Sequence, residues 1–327
     1  MMAMQTPTHQ PTRGARIIPI RFLAPLTKNS RRFLRLALAT NTGRIGLFIV
    51  TIHLTVALIG PWLAPYSPTE FHLLPDYPEE HRLSSPTPTY LLGTDQYGRD
   101  VLSRLLSGAR SLILLSVSAA TLGIILGTII GMSSGYNGGK IDELIMRIMD
   151  GLMSFPSLLL ALLVLTTLGY RDAPISLIEP FWQEFLIVIT IGVVFTPQIS
   201  RVMRSTTLSL KEMEFVQSAR LRGESGYFIV FREMLPNVMP TLGVEASVRL
   251  SYAILLIASL GFLGLGVQPP SPDWGLMISE SRRFLVIAPW LCLAPGIAIA
   301  SLVVGVNLLG DGIREARSLP RTEAEIE

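Results

Sequence analysis

Several short strings in this chain have the spelling of reactive sites. Gly131-Met-Ser-Ser-Gly135 fits the Gly-x-Ser-x-Gly pattern that exposes a nucleophilic serine, and Gly139-Lys140 has the ending of a phosphate-binding loop. Neither string sits in the context its chemistry needs. Ser133 lies at the end of a long apolar run with no strand before it, and His9, His53, His72 and His81 all lie elsewhere, so no base accompanies it. In the second string Ser134 stands where the loop needs glycine, and Ile141 where it needs a hydroxyl, so no ATP site is expected in this chain. The histidines are too scattered for a zinc site, and the single cysteine, Cys292, has no partner for a disulfide. The residues therefore predict no catalytic centre, metal or cofactor held by this chain. One pair remains. Glu245 and Arg249 lie four residues apart in an apolar stretch and share a helix face. A charge near a bilayer interior costs about 2.5 to 3.5 kcal/mol, so such groups face protein or a wet cavity. They form either a structural pair or part of a substrate path, where a zwitterionic cargo would offer each of them a partner. With Asp150 as a second buried acid, an ion-driven secondary transporter is a rival reading, although no inverted repeat supports it.

The elements that must position these residues are membrane helices. Of 327 residues, 49% are hydrophobic and 16% charged, which is too apolar and too thinly charged for an ordinary soluble domain. A bilayer core of roughly 30 Å needs about 20 apolar residues of helix to cross it. Six stretches qualify: 45 to 65, 111 to 132, 148 to 169, 183 to 200, 241 to 266 and 288 to 310. Their apolar runs are continuous rather than alternating, which excludes a barrel, so the expected fold is all-α with six transmembrane helices. Gly123, Gly127 and Gly131 repeat at four-residue spacing in the second span, which predicts close helix packing, between paired chains rather than at a ligand site.

Charge orients the spans. The segment before the first span carries Arg13, Arg16, Arg21, Lys28, Arg31, Arg32, Arg35 and Arg44, and the first acid in the chain is Glu70. The N-terminal arm, residues 1–44, is expected to be cytoplasmic. Six crossings place the C-terminal tail, 313–327, on the same side with Arg314, Arg317 and Arg321. The first span and an extracytoplasmic segment fill 45–110, where Glu70, Asp76, Glu79, Glu80, Asp95 and Asp100 make the outward side acidic. The first apolar run is longer than a signal-peptide core and has no small-residue cleavage site, so it is expected to remain as an anchor. The core then covers 111–312.

Three soluble segments carry the most information. Tyr90-Leu-Leu-Gly-Thr-Asp-Gln-Tyr-Gly-Arg-Asp-Val-Leu-Ser-Arg104 precedes the second span and suits a tight turn, read either as a cap on that span or as a substrate contact. Residues 201–240 alternate apolar and charged positions at helical spacing, interrupted by Gly223 and Gly226. Leu208, Phe215, Ala219 and Leu221 are expected on one apolar aspect, with Lys211, Glu212, Glu214, Arg220, Arg222 and Glu224 wet. That pattern predicts two short helices around a glycine turn, with Pro236 and Pro240 opening the fifth span. Reversing direction needs only a short turn, so so large a projection implies a docking partner. The third segment is Leu260-Gly-Phe-Leu-Gly-Leu-Gly-Val-Gln-Pro-Pro-Ser-Pro-Asp-Trp-Gly275.

These segments resemble ABC importer permeases. Phe215-Val-Gln-Ser-Ala-Arg-Leu-Arg-Gly223, followed by Leu235-Pro236-Asn237, is similar to their cytoplasmic loop motif. The outer string, the third segment and Asn307-Leu-Leu-Gly-Asp-Gly312 resemble signatures of the C-type subunit of the dipeptide, oligopeptide and nickel group. Gln217 and Ser218 replace the family's Glu and first Ala, and Glu233 fills an apolar position, so an ion pair made by the family glutamate does not carry over. The resemblance implies a non-catalytic permease of the bacterial inner membrane. It implies that Glu214, Phe215, Gln217, Ser218, Ala219, Arg222, Gly223 and Glu224 form a coupling helix region that meets an ATPase subunit. It marks Gly93, Thr94, Asp95, Gly98, Arg99 and Asp100 as the extracytoplasmic signature. The implied partners are a homologous permease subunit, two ATPase subunits carrying ATP and magnesium, an extracytoplasmic solute-binding protein and the lipid bilayer, with no nucleic acid. The implied cargo is a dipeptide or oligopeptide; relatives also carry nickel complexes, glutathione or glycans.

Overall fold

The computed structural model describes residues 34–69, 82–169 and 179–318. Arg13, Arg16, Arg21, Lys28, Arg31, Arg32, Glu70, Asp76, Glu79, Glu80 and Arg321, which carry much of the charge asymmetry, lie outside the described residues. The chain is all-α: α1 (Asn41–Leu63), α2 (Val101–Asn137), α3 (Gly139–Met153), α4 (Ser157–Gly169), α5 (Glu179–Lys211), α6 (Glu214–Leu221), α7 (Leu235–Phe262), α8 (Trp274–Ser281) and α9 (Trp290–Ser318). Among the described residues, five helices are long and apolar enough to cross a membrane, and α3 with α4 make up a sixth crossing if the bent pair counts as one.

The third span departs from expectation. The stretch 148 to 169 reads as one continuous helix, but the chain bends by 87° between α3 and α4. Pro156 lacks an N–H and its ring crowds the preceding turn, which favours the break at Ser154, Phe155 and Pro156. α4 alone, 13 residues, is about 20 Å long and too short to cross the hydrocarbon. α3 is amphipathic: Asp142 and Met149 turn inward while Ile141, Leu144 and Ile148 face out. The fifth span departs in the other direction. The second short helix expected before it is a helical turn, Gly226–Phe228, that passes through a π-helical stretch, Ile229–Met234, into α7 without a break.

The core lies between α2 and α5. A glycine ladder on α2 fits α5 of the same chain: a Cβ on Gly131 would come within 2.3 Å of the Ser200 carbonyl oxygen, and one on Gly127 within 2.6 Å of the Ile199 side chain. The stripe expected between two permease chains is therefore consumed inside this one. Met132, Ile191, Ile199 and Met203 are sealed around it. A second close approach joins α1 to α9, where Gly46 abuts the Leu309 backbone and Gly312 abuts Gly43. Thr40 closes that seam, its Oγ1 accepting from Gly43 N–H and donating to the Gly312 carbonyl. α8 lies across α7, and the Trp274 indole N–H donates to the Leu105 carbonyl on α2 at 2.8 Å. With 37 residues, α2 is about 55 Å long and sets the distance between the two ends of the molecule.

Candidate functional site

At the N-terminal end of α2, the segment with the dense Gly, Asp and Arg pattern folds into a turn stitched to its neighbours. Gly93 (φ 71°) and Gly98 (φ 77°) hold backbone conformations that favour glycine. Thr94 accepts at Oγ1 from Ser84 N–H and bridges to Asp100. Asp95 Oδ1 accepts from the Tyr97 and Arg99 backbone N–H groups, and its Oδ2 meets Arg99 Nε and Arg104 at 2.6 Å each. Both guanidiniums also reach Glu280 on α8, at 2.7 Å from Arg99 and 3.0 Å from Arg104. Asp100 caps α2, accepting from the Ser103 N–H and hydroxyl. Arg99 and Asp100 are each only 1% exposed, so the structure places this signature in the protein interior rather than on an open surface. Opposed charges this deep are held by mutual hydrogen bonding, and removing one partner strands the others. Glu280 completes the cluster and has no local sequence signal, since it lies far along the chain from its arginines.

At the other end of α2, α5 runs out at Lys211 and the chain forms α6. Val216 and Ala219 are fully buried and anchor this helix, with Phe215 half-buried beside them. Leu221, expected on the apolar aspect, is instead 89% exposed, because at helical spacing it falls on the opposite side from Val216. Leu208 is also exposed. Gly223 (φ 77°) ends the helix: its N–H donates to the Arg220 carbonyl at 2.9 Å, and Glu224 N–H to the Ala219 carbonyl at 3.2 Å. This is the paired C-terminal closure that a left-handed residue makes possible. Ser225 caps the following turn. Glu233 takes a partner in the Arg222 guanidinium at 3.4 Å, which accounts for a charge at an otherwise apolar position. Gln217 donates from its side chain to the Glu212 carbonyl at 3.1 Å. The base of the loop rests on Tyr136, whose ring lies 5.2 Å from the Arg220 guanidinium and 5.9 Å from Lys211 Nζ. Glu214, Gln217, Ser218, Arg222 and Gly223 remain exposed and Glu224 half-buried, a polar edge flanked by Leu221 and Tyr227.

Between the ends, Arg249 Nε and Nη2 donate to Glu245 Oε2 at 3.1 and 3.0 Å, and Arg249 also donates to Gln198 Oε1 on α5. Both charged side chains are about one-sixth exposed or less, so the pair is largely enclosed. Gln198, like Glu280, was missed by sequence reasoning; it also lines a pocket of about 310 Å³ at the α3–α4 bend, with Phe155, Pro156, Leu160 and Val194. Asp150, expected as buried charge, is more than half exposed and lies 3.7 Å from Arg201. Its position on the outer aspect of the amphipathic α3 accounts for that. Ser133 sits inside the uninterrupted helix α2.

The family described as binding-protein-dependent transport system inner membrane component matches residues 101–316. The chain is 39% identical over 272 residues to a dipeptide transport system permease protein of Alkalihalophilus pseudofirmus, covering 83% of this chain and 84% of that one. It is 38% identical to a di/tripeptide transport system permease protein of Pseudomonas aeruginosa, over 85% of this chain and 88% of that one. It is 36% identical to a glutathione transport system permease protein of Pectobacterium atrosepticum, over 88% of each.

Proposed function

The chain belongs to the family of binding-protein-dependent transport system inner membrane components, and from that premise we propose that it is a non-catalytic permease subunit importing dipeptides or oligopeptides. It pairs with a homologous permease, two ATPase subunits bind on the cytoplasmic side, and an extracytoplasmic binding protein delivers the cargo. Both termini and α6 face the cytoplasm in this reading, and the Asp95 cluster faces outward. ATP and magnesium belong to the ATPase subunits. ATP and loaded binding protein bind the two states of the permease differently, and that difference drives the switch.

The observation that carries the reading is α6: a short helix anchored from behind by Val216 and Ala219 and closed by Gly223, with its remaining face open. A helix presented in this way, with small Ser218 and flanking charges, suits a groove in a partner, and the edge of Gln217, Leu221 and Arg222 supplies its specificity. The Glu245–Arg249–Gln198 group beside the pocket suits a cargo with an amine and a carboxylate. Glutathione is the alternative cargo, supported by the similarity to glutathione permeases.

The test is reconstitution of the chain with its partner permease and ATPase subunits in proteoliposomes, with dipeptide-loaded binding protein added outside. ATP hydrolysis and dipeptide uptake are expected to rise together. Gly223→Val places a β-branched residue at positive φ, a strain of about 1 to 2 kcal/mol, and is expected to leave insertion intact while uncoupling uptake from hydrolysis. Uptake by the chain alone, with no ATPase subunit, overturns the reading.

A further inference from the structure

α3 joins the two regions described above, and little holds it. Its N-terminal end is Gly138 (φ 68°), the cap, and Gly139 (φ 70°), the first residue, both at positive φ, and a Cβ on Gly139 would meet nothing within 4 Å. Its C-terminal end is the bend at Ser154 to Pro156 that walls the pocket. Among its residues only Asp142 and Met149 are buried. The helix has a positive-φ glycine at one end and a bend at the other, is exposed along most of its length, and its polar attachments to α5 lie at two places. One is weak: Asp150 lies 3.7 Å from Arg201, both more than half exposed, with Arg201 also 3.8 Å from Met153 Sδ. Such solvent-exposed pairs contribute little.

The other place is built differently. Arg204 grips Asp142 with two parallel bonds, Nε to Oδ1 at 2.6 Å and Nη2 to Oδ2 at 2.5 Å, while the buried Ser134 hydroxyl of α2 donates to Oδ1. Asp142 is 6% exposed. Bidentate guanidinium–carboxylate contacts fix orientation as well as distance, so this one sets the angle of α3 on α5. Arg204 lies about two turns before the end of α5, where the chain passes into α6. Displacing α6 moves that end of α5, and the grip moves α3 with it.

We propose that Asp142 and Arg204 are positioning residues that make α3 follow the α6-bearing end of α5, carrying movement at the docking loop to the pocket wall at the α3–α4 bend. This rests on α6 being the docking element of an ATP-driven permease. Neither residue touches cargo or nucleotide in this role. Losing the bidentate grip leaves hydrolysis possible but lets α3 lag, so coupling falls while assembly persists. Coupling between linked sites typically amounts to about fivefold or more in an equilibrium, and a loss on that scale is expected.

The experiment uses the assembled complex in proteoliposomes and reads ATP hydrolysed per labelled dipeptide taken up. Asp142→Asn and Arg204→Gln are expected to raise that ratio about fivefold or more at unchanged amounts of complex, with Arg204→Lys restoring part of it. An unchanged ratio in both variants overturns the proposal. A second measurement needs no variant of the grip. Spin labels on Ile141 and Leu208, both exposed, report the α3–α5 separation in nucleotide-free and nucleotide-trapped complexes. A fixed separation, broadened by Asp142→Asn, is expected; a separation that changes with nucleotide in the otherwise unaltered chain overturns the proposal even if Asp142→Asn fails to assemble. If the unaltered complex shows no hydrolysis responsive to the loaded binding protein, the functional reading fails instead.

Discussion

Asp273 caps α8 from a site sealed off from water. Its Oδ1 accepts from the Gly275 and Leu276 N–H groups at 2.9 and 3.1 Å, while Oδ2 has no partner. Burial pushes its carboxyl up to about 6 from 3.8, against the smaller opposing pull of the two backbone donors. The folded chain therefore holds this proton more tightly than the unfolded one. That advantage is full below the unfolded value, declines as pH rises, and is gone above about 6. A rise of about two units corresponds to about 3 kcal/mol. Asp273→Asn keeps a capping oxygen without the buried charge, so its thermal midpoint in detergent should gain on the unaltered chain from pH 4 to 6 and stay constant above; a gain independent of pH counts against this account. Asp273 was visible in the sequence only as part of the Leu260-to-Gly275 segment. Asp95, Arg99 and Asp100 were singled out because their density in a turn is itself a signal, whereas Glu280, their counter-charge, is 181 residues from Arg99 and carried none. Val216 was overlooked for Leu221 because 8 residues are little more than two helical turns, too few for the apolar periodicity to fix which side is buried.

Among elements, the glycines separate two kinds of helix. Gly131 sits where α2 meets α5 and a Cβ would lie 2.3 Å from the Ser200 carbonyl oxygen, whereas at Gly151, in exposed α3, nothing lies within 4 Å. Gly131→Ala is expected to cost about 1 to 3 kcal/mol by forcing the helices apart. Gly151→Ala should be neutral or stabilising by about 0.5 to 1 kcal/mol, since alanine suits an exposed helix interior. Melting of the purified chain followed by size-exclusion fluorescence compares the two, and equal midpoints would contradict the packing described. The long spans were legible because continuous apolar runs leave few alternatives. The bend was not: hydropathy averages over the run, and Pro156 gives a helix boundary without an angle. Nor could the four-residue glycine spacing say whether its partner helix lay in the same chain.

Across the whole molecule, α2 holds the α6 loop and the Asp95 cluster at opposite ends, and the ends carry exposed reporters. Leu221 is 89% exposed at the end of α6, and Val286 is 94% exposed between α8 and α9. Single cysteines at these positions in a Cys292→Ser background, in cells lacking the ATPase subunits that would cover α6, should react with a membrane-impermeant maleimide from opposite sides: Val286 in intact cells, Leu221 only after the membrane is opened. Labelling of both in intact cells would remove the assigned topology. The Asp95 cluster also bears on how the chain is made. Synthesis proceeds from the N-terminus, so Asp95, Arg99 and Arg104 emerge together, and two guanidiniums share one cluster carboxylate until α8 is translated. Glu280 supplies the second carboxylate only after α7 has been threaded, and it neutralises charges that must then be withdrawn from water. The Asp95 end of α2 therefore gains its second counter-charge only late in synthesis, and a chain halted before Glu280 holds both arginines against the single Asp95 carboxylate.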